Sequence, residues 1–145
     1  MTKPKWLKNF KKWKCFLWKD GAVLLDPSFQ ILIEIPFWES PVETDVPLEV
    51  PFSVLEAVFE GGVKLDENEF EKNFSVKAFL EEKAEMEPTE AKISFLQFPE
   101  HFHTVSKVFK DAKFEPIADR GNGLLTRAKT DEATIYAIFT VKEWD

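Results

Sequence analysis

The two histidines of this chain, His101 and His103, stand two positions apart beside Glu100. His, His and Glu are metal-ligating types. Residues at i and i+2 of a helix point to different sides, so a shared ion would require extended backbone. The segment begins at Pro99 and reads as a helix start, so ordinary surface histidines are expected and no metal site. Cys15, the one cysteine, would need a neighbouring base to act as a nucleophile, and a place in the core suits it better. No CxxC, HExxH or GxSxG is present, and the five glycines sit at turns rather than in a phosphate loop. With 26 acids in the chain, carboxylate pairs do not single out acid–base chemistry. No catalytic residue and no cofactor is expected, and a binding protein rather than an enzyme is the reading. An enzyme whose site follows none of these patterns is the alternative from another class.

Two charged features suit binding. Residues 1–19 hold seven lysines and no acid, interleaved with Trp and Phe. Lys3, Lys5, Trp6, Lys8, Lys11 and Lys12 make up the basic aromatic arm, which suits a nucleic acid, a membrane surface or an acidic protein. The plainer reading is an amphipathic segment whose aromatic stripe packs on the body. The second feature is the acidic run 56–90, with eleven acids against four lysines. Glu81, Glu82, Glu85, Glu87 and Glu90 are its densest part, expected on an exposed hairpin or loop that covers a basic groove on a partner. The plainer reading there is solvated turn charge. Because the whole chain is −7 and the first nineteen residues are +7, the remainder carries −14. Such a body repels phosphates, so duplex DNA binding is expected to be weak or absent. A protein partner with a basic surface is expected instead.

The elements that must position these residues follow from length and pattern. A chain of 145 residues, 44% hydrophobic with 15 Phe and 5 Trp, is one domain with a proper core. A lone cysteine allows no disulfide framework within the chain and suits a reducing compartment. No apolar run is long enough to span a bilayer, and no apolar stretch with a cleavage site follows the N-terminal lysines. A cytoplasmic protein without membrane insertion is the expectation.

Trp6, Phe10, Trp13 and Leu17 recur at helical spacing, and Lys14–Lys19 alternates like a strand. Asp20-Gly21 signals a hairpin. Ala22–Leu25 and Phe29–Ile35 read as strands around Asp26-Pro27-Ser28, with Phe29, Ile31 and Ile33 inward and Leu32 outward. Four prolines between 36 and 51 exclude helix and central strand, leaving 36–47 as an extended connector. Pro51 opens a helix with Phe52, Leu55, Val58 and Phe59 on one face, closed by Gly61-Gly62. Val63–Leu65, Phe74–Leu80 and Ile93–Phe98 read as strands. A helix with Phe102, Val105 and Phe109 inward and Lys107 and Lys110 outward begins at Pro99. Phe114–Ala118, Gly123–Ala128 and Thr134–Val141 read as closing strands, with Ile135, Ala137 and Phe139 in the core.

The stretches 48–65 and 96–114 share an order of strand end, proline, short helix and strand. The pattern points to an α+β fold: antiparallel sheet with two or three short helices on one side and repeated β-α-β-β(-β) units.

That order resembles a DNA sliding clamp domain. GAVLLDPSFQILIEIPF (21–37) is similar to the clamp strand pair around its turn, DVPLEVPFSVLEAVFEGGVKL (45–65) to the strand-helix-strand that follows, and residues 98–141, ending in YAIFTV, to a clamp's last unit. The resemblance implies a clamp-like fold. Clamp helices carry Lys and Arg towards DNA, whereas the helix at 52–60 carries Glu56 and Glu60 and no base; only the second has lysines, at 107, 110 and then 113. The chain is also shorter than a clamp subunit. A clamp-fold relative that binds polymerase-type machinery fits better than encirclement of DNA.

The function expected from these features is a small acidic regulator that binds a protein of the nucleic-acid machinery, such as a polymerase. Phages and mobile elements encode many regulators of this type. The alternatives are an immunity protein or inhibitor of a basic toxin or nuclease, and a clamp-like DNA-binding processivity module.

Overall fold

The computed structural model describes residues 3–36, 42–61, 65–70, 74–84, 96–119 and 123–141. The described strands are β1 (Lys14–Trp18), β2 (Gly21–Leu25), β3 (Ile31–Pro36), β4 (Leu48–Val50), β5 (Leu96–Gln97), β6 (Glu115–Asp119), β7 (Gly123–Lys129) and β8 (Thr134–Val141). All pair antiparallel in one sheet of order β4-β1-β2-β3-β8-β7-β6, with β5 added on β8. Two meanders, β1-β2-β3 and β6-β7-β8, meet where β3 pairs β8, with Ile31 opposite Ala137 and Ile33 opposite Ile135.

The turns explain this register. Gly21 has φ +152°, and a Cβ there would overlap the Ile35 carbonyl oxygen, so the β1–β2 hairpin needs glycine at that point. In the β2–β3 turn the fully buried Asp26 carboxylate accepts three backbone N–H groups, from Ser28 (3.2 Å), Gln30 (2.7 Å) and Ile31 (2.7 Å). These bonds satisfy a buried charge that would otherwise be costly.

Both faces of the sheet are covered. On one, Leu24, Ile31, Ile33, Ile135, Ala137 and Phe139 pack under Leu7 and Phe10 of an N-terminal 3-10 turn (Leu7–Phe10). Leu55, Val58 and Phe59 of α1 (Phe52–Gly61) and Val105 of α3 (Phe102–Val108) complete that layer. On the other, Phe16, Trp18, Val23, Leu25, Leu32, Leu125 and Tyr136 pack with Val76 of α2 (Phe74–Ala84). Each fully buried Leu, Ile or Phe contributes roughly 1.5–3 kcal/mol.

The α+β class with an antiparallel sheet and short helices is what the sequence pattern indicates, but several particulars differ. The helices are not on one side: α2 covers the face opposite α1 and α3. Phe74–Leu80, read as a strand, is helical, and the helix runs on through Glu81 and Glu82 instead of an acidic hairpin. Leu32 and Tyr136, placed outward by strict alternation, are buried because the sheet has two covered faces. Phe29, expected in the core, is 53% exposed with φ +57°. The turn held by Asp26 carries it past the end of β2. Phe52 and Phe102 are partly buried against the first core, and the other expected core residues lie inside. The strand-proline-helix junction occurs at both β4-α1 and β5-α3. Among the described residues α1 is followed by a 3-10 turn (Glu67–Glu69) and α2, and α3 by the β6–β8 meander. Residues 63–64 and 93–95 of two expected strands lie outside the described residues, and Leu65 is in no strand. No helix among the described residues is long and apolar enough to cross a membrane.

Candidate binding face

The N-terminal segment is one tight turn rather than a regular α-helix. Leu7 N–H donates to Pro4 O (3.2 Å), Asn9 N–H to Trp6 O (3.0 Å) and Trp13 N–H to Phe10 O (3.0 Å). In a 3-10 turn, residues three apart lie on one side, which is why Leu7, Phe10 and Trp13 are buried together. Lys5, Lys8, Lys11 and Lys12 are left exposed. The stripe read from the sequence holds for Phe10, Trp13 and Leu17. It missed Leu7, and Trp6 is only half-buried.

Aromatic contacts seat this turn against α3. The Trp6 ring meets Phe109 at 4.9 Å between centroids and Phe10 at 5.7 Å, and Trp13 meets His101 at 6.4 Å. Trp6 Nε1–H donates to Glu132 Oε2 (3.0 Å). Glu132 is positioned by the β7–β8 turn, where the Thr130 hydroxyl accepts the N–H groups of Glu132 (3.3 Å) and Ala133 (3.0 Å). On α3, Val105 faces the sheet while His103, Ser106 and Lys107 are exposed, followed by the exposed Lys110.

Between the turn and α3 runs an open groove of about 390 Å³, lined by Trp6, Asn9, His103, Thr104, Lys107 and Val108. The two basic segments of the sequence, some hundred residues apart, thus share one face. Among the described residues no ion pair engages Lys5, Lys8, Lys11, Lys12, Lys107 or Lys110. The sequence marks both segments, but nothing local in it brings them together. The linking signal is the pair of apolar residues Phe10 and Phe109, whose rings lie 6.4 Å apart.

Lys3 is used differently from the other lysines. Its ammonium bridges Glu60 (2.6 Å) and Glu56 (3.3 Å) of α1, and these hydrogen bonds, Glu60's first, raise its pKa. The pairing ties the start of the chain to α1 and engages two acids of the acidic run. Glu81 and Glu82 are exposed on α2, across the sheet from the groove, and Glu81 lies 3.5 Å from Lys77. Glu85, Glu87 and Glu90 lie outside the described residues. Among the described residues, Glu81 and Glu82 therefore lie on the opposite face of the sheet from the groove.

Cys15 is buried, its Sγ 3.6 Å from Trp13 O. Burial first, and the charge of Glu49 second, push its thiol up to about 12, which removes the thiolate a nucleophile needs. Glu100 accepts the Ser28 hydroxyl (3.0 Å). No group of three or more His, Cys, Asp or Glu suited to a metal ion occurs among the described residues.

Compared with protein-family models, curated proteins and solved structures, the chain matches none.

Proposed function

We propose that this is a non-enzymatic binding protein that attaches to a component of the nucleic-acid machinery through the face formed by the N-terminal turn and α3. One observation carries the reading. On a chain of net charge −7, the lysine-rich N-terminal turn lies side by side with α3 across a groove lined by Trp6, Asn9 and Lys107. Folding alone gives no reason to gather like charges, which repel one another. An anionic partner surface does. Trp is also a residue type that anchors interfaces.

The experiment is affinity capture with tagged protein, comparing wild type with the Lys8→Glu, Lys107→Glu pair. Both positions are exposed, so the fold survives the change. Loss of the captured partner in the charge-reversed pair, with retention by a Glu81→Lys, Glu82→Lys pair, supports this face. Retention by the first pair overturns it.

A second reading keeps the acidic surface as the contact and a basic partner, whether a polymerase subunit or a toxin held in check. Glu81 and Glu82, exposed on the opposite face of the sheet, favour it. It is supported if the α2 reversals alone abolish capture.

A further inference from the structure

We propose that the groove between the N-terminal turn and α3 binds single-stranded nucleic acid. This rests on the same face acting in binding and names its ligand. The lining supplies three kinds of group that such a strand requires. Lys107 in the wall offers a cation for a phosphate, and the adjoining N-terminal turn carries further exposed lysines. Trp6 offers ring surface for a base; its indole N–H is already committed to Glu132, so stacking rather than donation is what it brings. Asn9 and Thr104 add short polar side chains to the lining that suit base or sugar edges. A polyanion without rings, such as polyglutamate, would use the lysine but present nothing to stack on Trp6.

The scale and the field choose a single strand over a duplex. Seven residues of α3 give a wall about 10 Å long, against about 34 Å for one duplex turn. The wall holds a few nucleotides. A duplex laid on this face would also bring its second strand against an acidic body, because residues 20–145 carry −14. The groove is open to solvent rather than enclosed, so a strand enters without threading.

The test is fluorescence anisotropy of a labelled oligo-dT of about 12 nucleotides with the full chain, starting near 50 mM salt. Wild type is expected to bind, with affinity falling as salt rises. The Lys8→Glu, Lys107→Glu pair is expected to weaken binding by at least about tenfold. It should also flatten the log-affinity against log-salt slope by about 1.4, which is about 0.7 for each of two phosphates that no longer meet a lysine. The Glu81→Lys, Glu82→Lys pair should not weaken it. Quenching of Trp fluorescence on binding, reduced in Trp6→Phe, reports the stacked base; Phe keeps an aromatic ring against Phe10 and Phe109. Three results each overturn the inference: no binding at low salt, binding untouched by the lysine reversals, or equal competition by a duplex of the same length or by polyglutamate. If the oligonucleotide fails while the lysine reversals still abolish partner capture, the ligand assignment is wrong and the binding face stands.

Discussion

Trp6 and Phe109 meet at 4.9 Å between ring centroids with an interplanar angle of 64°, and this contact fastens the first turn of the chain to the end of α3. An edge-to-face pair of this kind is worth roughly 0.5–1.5 kcal/mol beyond the area it buries. Trp6→Ala is expected to cost about 2 kcal/mol and Phe109→Ala about 3 kcal/mol, the former less because Trp6 is only half-buried. A double-mutant cycle by chemical denaturation should return a coupling near 1 kcal/mol. Strict additivity would mean that the turn is not seated on α3.

Phe29 occupies left-handed backbone, φ +57°, at the end of the Asp26–Phe29 turn closed by Phe29 N–H to Asp26 O (3.0 Å). Such a site favours Gly or Asn, and a bulky residue there costs about 1–2 kcal/mol. Its ring is 53% exposed and buries little in return, with Lys14 Nζ 5.2 Å from the ring centre worth about 0.5 kcal/mol. Phe29→Gly is therefore expected to raise the thermal midpoint by a few degrees. A fall in the midpoint would show that the ring holds the hairpin.

Cys15 links stability to alkaline pH. Its folded thiol is pushed up to about 12, while the unfolded thiol titrates near 8.5. Only the unfolded state loses this proton between those values, so the contribution is fully present below the unfolded pKa and declines as pH rises towards the folded one. The slope is about 1.4 kcal/mol per pH unit. Cys15→Ala should flatten the decline in that window when denaturant midpoints are compared. A native thiol that reacts with a maleimide as fast as the unfolded chain would contradict the burial.

Glu81 and Glu82 on α2 are exposed, and reversal of both to Lys is expected to shift stability by less than about 0.5 kcal/mol each. A larger loss would mean that these acids support the fold and cannot serve as a neutral control.

Much of the sheet was legible in the sequence. β8 runs from Thr134 to Val141 as its alternation indicates, and Asp20-Gly21 marks the first hairpin. Two-sided burial was not, because alternation assigns Leu32 to solvent until α2 is known to cover that face. Phe74–Leu80 is apolar enough for a strand, and only its packing through Val76 decides for helix. Of the site, the lysines of the first turn were legible as a group. Their junction with His103, Thr104 and Lys107 was not, since it depends on how Phe10 and Phe109 meet in the core.

The most direct measurement is amide chemical-shift mapping of the isotope-labelled protein titrated with the single-stranded oligonucleotide. The expected result is a joint, saturable shift of Lys5, Trp6, Lys8 and Asn9 with His103, Thr104 and Lys107, and none on α2. Shifts confined to α2 or to the Phe29 turn, or none at all while the probe stays in excess, would contradict a single binding face made by the N-terminal turn and α3.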